Sequence, residues 1–126
     1  MKLDSFTRAY ITCALWSSTT NPPGDDTGGP PMDDEHDETD IAPETLARMV
    51  SECAAFQRDN AADLAHRDSE QGGHDFWLTR NHHGCGFWET PDWPEDAGRR
   101  LTAAAHAAGE RDLYIGDDGQ IYQYPG

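Results

Sequence analysis

The chain has 126 residues, with 24 Asp plus Glu against 9 Lys plus Arg, and a formal net charge of −15. That length fits one domain, here 1–126, with one modest core. So few cations argue against direct nucleic-acid binding, which needs Lys and Arg for the phosphates. No run approaches the ~18 apolar residues of a membrane span, and MKLDSFTRAY has no apolar signal core. The expected setting is the cytoplasm, with no membrane partner.

Asp4 is placed to cap a helix starting near Ser5, on which Phe6, Tyr10, Cys13 and Ala14 recur at helical spacing. Asn21-Pro22-Pro23-Gly24 forbids its continuation. Residues 17–40 form an acidic, Pro/Gly-rich loop with almost no apolar residues and no Lys or Arg. Its acids are Asp25, Asp26, Asp33, Asp34, Glu35, Asp37, Glu38 and Asp40. Alone, such a composition cannot bury enough surface to order itself. A loop of this length inside a compact domain signals function or insertion.

Pro43 and Glu44 suit the first turn of a second helix. Leu46, Met49, Val50, Cys53, Phe56, Asn60 and Leu64 mark one face of it. It is expected to fray through 67–70 and to end by Gly72-Gly73. His74 to Glu89, HDFWLTRNHHGCGFWE, reads as strand, glycine-rich turn and strand. Phe76, Leu78 and Arg80 would point one way, Trp77 and Thr79 the other. Phe87 and Trp88 would begin the return strand, with Gly84 and Gly86 in the reversal. Asp92, Pro94 and Glu95 suit the start of a third helix, which Gly109 would stop. Asp118-Gly119 is a turn dipeptide between Arg111–Ile115 and Gln120–Tyr124. The predicted fold is α+β: an antiparallel sheet of about four strands, in two hairpins, with three helices packed on it.

The aromatic hairpin carries the candidate chemistry. His74, His82, His83 and Cys85 are potential zinc ligands, with Asp75 beside them, yet they match no established ligand spacing. Cys85 could act as a nucleophile with His83 as base and Asp75 as orienting group. The plainer reading is a polar turn with incidental His and a small loop residue. Asp75, Glu89, Asp92 and Glu95 flank aromatics as the carboxylate pair of a glycosidase would, but the last two are explained by capping. Trp77, Trp88 and Trp93 suit core packing better than an interface patch. Cys13 and Cys53 fall on apolar helix faces, and the odd cysteine count with no CxxC motif reads as reduced thiols. No cofactor is expected.

The stretch DFWLTRNHHGCGFWE resembles the pattern D-F-W-L-T-R-N-G-H-G-A-G-F-W-D of a family of small bacteriophage and prophage proteins with no assigned activity. The resemblance extends to LDSFTRAYITCALWSST, DIAPETLARMV and DLYIGDDGQIY, not to the acidic loop. His83 matches the pattern's His, whereas His82 replaces Gly and Cys85 replaces Ala. A zinc or thiol mechanism built on those two residues is weakened accordingly. The resemblance implies a phage or mobile-element accessory protein acting in a bacterial cytoplasm.

The expected function is non-enzymatic binding of a basic host or phage protein. Inhibition of a nucleic-acid-binding host defence system, of anti-CRISPR or anti-restriction type, is one form of it, with the acidic surface mimicking nucleic acid. The eight acids of the loop, with Arg80 and Asn81 at an exposed turn, are the expected partner contacts. The alternative is a small metal- or thiol-dependent enzyme using the His/Cys-rich hairpin.

Overall fold

The computed structural model describes residues 2–20, 29–83, 86–88 and 93–125. Helix α1 (Ser5–Ser17) begins as its sequence dictates: the Asp4 carboxylate accepts from the Thr7 amide at 2.8 Å. Its buried side chains include Phe6, Tyr10, Ile11, Ala14 and Leu15. Ser18 turns extended, and Thr19 forms an antiparallel bridge to Pro31. Helix α2 (Pro43–Asp59) carries Pro in its first turn and buries Met49, Cys53 and Phe56. It breaks at Asn60, whose side chain donates to the Phe56 carbonyl at 2.9 Å and so competes with helix continuation. A single turn, α3 (Ala61–Leu64), follows.

The next element overturns the expected strand pair. Residues Ser69–Arg80 form helix α4, capped by Asp68, which accepts from the Gln71 amide at 2.8 Å. Gly72-Gly73, expected as a stop, lies inside this helix and serves close packing. A Cβ at Gly73 would collide with the Phe6 carbonyl oxygen, so the glycine lets α4 lie against the α1 backbone. Phe76, Trp77, Leu78, Thr79 and Arg80 are all buried. The second half of α4 is enclosed on every side and so loses the one-sided apolar stripe by which helices are recognised. Its run of large side chains then imitates a strand buried on both faces. Phe76 stacks on Phe56 at 4.0 Å between ring centroids and meets Tyr10 at 5.3 Å, joining α1, α2 and α4.

Helix α4 ends in a paired closure. The His83 amide donates to Leu78 O at 2.9 Å and the His82 amide to Thr79 O at 3.1 Å. His82 takes the left-handed conformation, φ 58°, that glycine usually supplies at this position. Gly86, Phe87 and Trp88 form a turn, not the expected return strand. Phe87 is buried, and its amide donates to Thr79 Oγ1 at 3.0 Å. Helix α5 (Glu95–Ala108) follows Pro94, with no side-chain cap bond, and ends at Gly109 with φ 86°. The expected cap, Asp92, lies outside the described residues.

Strands β1 (Asp112–Ile115) and β2 (Ile121–Tyr124) form the second predicted hairpin, antiparallel with Ile115 opposite Ile121. Gly119 has φ 81° in the turn. Ile121 anchors the hairpin to the start of α2, since the Ala42 amide donates to its carbonyl at 2.9 Å. The described residues thus hold five helices and one two-stranded antiparallel sheet. The chain is mostly helical α+β; the predicted four-stranded sheet with three helices is incorrect.

Candidate interaction surface

Arg80, expected as an exposed partner contact, is fully buried. Its position as the last residue of α4 points the guanidinium at the C-terminal end of α5, where carbonyls lack helical partners. Nε donates to Gly109 O at 2.7 Å, and one terminal nitrogen donates to Ala108 O at 3.0 Å. The other donates to the Tyr10 hydroxyl at 3.0 Å. Glu52 supplies the countercharge, 2.8 Å from the guanidinium. Burial pushes the Tyr10 hydroxyl well above its ordinary pKa, with the Arg80 charge acting in the opposite direction. Gln123 donates to Glu52 Oε2 at 3.1 Å, so the hairpin joins the same network. Arg111 Nε approaches Glu52 Oε1 at 3.4 Å but makes no hydrogen bond; this contact is charge proximity alone. Asn81 is also architectural: it donates to Trp77 O and accepts from the Arg111 amide. Arg80 and Asn81 therefore hold elements together rather than face a partner.

The candidate His residues are not gathered by a hairpin. His74 and Asp75 lie within α4 and His82 and His83 follow its end, with the helical stretch from His74 to Arg80 alone spanning roughly 9 Å. Asp75 is buried and accepts from Trp93 Nε1 at 2.7 Å and from Gln71 Nε2 at 3.0 Å. His74 Nδ1 lies 3.0 Å from its other oxygen. His82 stacks on His106 at 4.3 Å, near Glu110, and His83 is exposed. The proposed pairing of Asp75 with His83 is therefore not assembled, and Cys85 lies outside the described residues. Among the described residues no group of three or more His, Cys, Asp or Glu is arranged to hold a metal. Burial, with the Asp75 charge adding to it, pushes the Cys13 thiol up to about 12, and burial also raises Cys53. Both thiols are poor nucleophiles at neutral pH.

The acidic segment is more built than its composition suggests. Asp25 and Asp26 lie outside the described residues. Met32, a lone apolar residue among acids, is fully buried, and its amide donates to Ser18 O at 2.7 Å. Short 3₁₀ turns at Met32–Asp34 and Glu38–Asp40 follow. The acids divide by role. Asp37 and Asp40 cap each other's turn, and the Thr39 hydroxyl and amide hold the Asp37 carboxyl below its ordinary pKa. Glu38 pairs with Arg8 at 3.4 Å. Asp33, Asp34 and Glu35 are exposed.

Between α1 and the first half of α4 runs a groove of about 870 Å³, lined by residues that include Leu3, Ala9, Trp16, Asp68, Glu70 and His74. Trp16 is 60 % exposed there, unlike Trp77 and Trp93, which are buried. Helical periodicity does not single out Trp16, which lies in the last turn of α1. The available signal was its position directly before the acidic segment. Trp88 is exposed as well, contrary to core packing.

No family model, curated protein or solved structure matches the chain. Among the described residues no helix is long and apolar enough to cross a membrane.

Proposed function

We propose that this protein works by binding, capturing a basic partner protein through carboxylates on its acidic segment. The observation that carries this reading is the anchoring of Met32 in the core, which fixes exposed Asp33, Asp34 and Glu35 on a rigid support. A net charge of −15 would draw a cationic surface from a distance and reject anionic ones. Proteins that grip nucleic-acid phosphates carry such cationic surfaces, so an inhibitor of a host nucleic-acid-binding system fits this electrostatic character. Asp37 and Asp40 cap the segment's own turn and Glu38 pairs with Arg8, which leaves residues 33–35 as the principal contacts among the described residues.

The test is the triple change Asp33→Asn, Asp34→Asn and Glu35→Gln, with binding measured on immobilised basic proteins and in host-lysate capture across a salt series. Wild-type capture should fall steeply with salt, and the triple variant should lose most of the low-salt binding while unfolding normally. Unchanged capture by the triple variant rejects the acidic-segment reading.

A further inference from the structure

The acidic segment rejoins the fold beside the Trp16 end of the α1–α4 groove, because the Met32 amide bonds to Ser18 O two residues beyond Trp16. The groove itself is amphipathic. Its apolar surface comes from Leu3, Ala9 and Trp16, and its α4 wall carries Asp68 and Glu70. Of the two cations in the lining, Arg8 is engaged by Glu38, while Lys2 shares with Asp68 and Glu70 the end remote from Trp16, so three carboxylates stand against two cations there and the acids at 33–35 follow beyond Trp16. His74 forms part of the wall, its ring tied to Asp75, which is itself held by Trp93 and Gln71. Leu3 and Trp16 mark a length of roughly 20 Å at helical rise. That suits a helix of about four turns with one apolar stripe. The exposed face of Trp16 would also attract a Lys or Arg beside that stripe.

We propose that this groove seats a basic amphipathic helix of the partner. Its apolar stripe rests on Leu3, Ala9 and Trp16, and its flanking cations face Asp68, Glu70 and the acids at 33–35. The inference rests on the acidic-segment reading and adds to it a shape and an apolar anchor. Charge complementarity selects this occupant: a purely apolar helix would leave the exposed Glu70 carboxylate facing no cation, and an acidic one would be repelled by the groove wall and by the net charge of −15.

The probe is a labelled synthetic peptide of about 15 residues, with Leu at i, i+4, i+7 and i+11 and Lys elsewhere. A scrambled peptide of identical composition, without the stripe, is the control. Fluorescence anisotropy reads both affinities, and circular dichroism confirms that each variant is folded. The striped peptide should bind about tenfold more tightly than the scrambled one. Trp16→Ala should remove that preference, and Trp16→Phe should retain most of it. Equal affinity for the two peptides, or a preference that survives Trp16→Ala, overturns the groove inference while salt-sensitive binding of both leaves the acidic-segment reading standing. Failure of both peptides to bind at low salt overturns the two together.

Discussion

Two charged regions of this molecule use charge in opposite ways. At the end of α4, Arg80 is wholly buried and meets two carbonyls, a hydroxyl and a carboxylate from three other parts of the chain. In the acidic segment, Asp33, Asp34 and Glu35 stand exposed on a support fixed by one buried Met32. A buried charge is tolerated only when its hydrogen bonds are satisfied, so each partner becomes a structural constraint. An exposed charge contributes little to folding and remains available for association. The same sequence thus separates a buried cation that ties elements together from exposed anions on which the packing does not depend.

The sharpest way to break this comparison is Arg80→Met, which leaves Glu52 partly buried without its close countercharge and uncaps the end of α5. A loss of about 3–5 kcal/mol is expected, measured by urea unfolding. A loss under about 1 kcal/mol would place Arg80 among ordinary surface ion pairs. Met32→Ala comes next, with an expected loss of roughly 2–5 kcal/mol from removal of a fully buried side chain. Hydrogen exchange in residues 29–40 should accelerate more than in α4. Uniform acceleration would mean that Met32 supports the whole core and is not a dedicated anchor for the segment.

The smallest effect is expected at a third kind of charge, exposed but locally bonded. Asp118 accepts from the Tyr122 hydroxyl at 2.6 Å and from the Gln120 amide at 3.0 Å, and these bonds hold its carboxyl below the ordinary 3.8. A carboxyl depressed in the folded state contributes stability above its unfolded pKa and loses it as pH falls through the folded value. The thermal midpoint of Asp118→Asn should therefore lie slightly below wild type at about pH 6, with the gap closing at about pH 2. A gap independent of pH would show that hydrogen bonding by either side chain, rather than ionisation, decides the turn.

Local signals were legible wherever one residue's own chemistry decided the outcome. Asp4 at a helix start, Pro43 in a first turn, Gly109 at a stop and Asp118-Gly119 between strands all act through short-range backbone geometry. Residues 75–80 were not legible, because burial on every side erased the periodicity separating helix from strand. The consequence reached the site: a hairpin would have gathered His74 with His82 and His83, whereas a helix separates them. It also turned Arg80 inward, toward carbonyls almost thirty positions later in the chain.

The sequence by itself determined the strong negative charge, the capped start of α1 and the closing hairpin, since composition and nearest-neighbour stereochemistry suffice for these. Only the tertiary structure decided that Gly72-Gly73 joins two helices closely instead of ending one, that Met32 anchors the acids, and that Trp16 faces a groove. Each of those outcomes depends on which distant backbone or side chain arrives alongside, and no local pattern encodes that arrival.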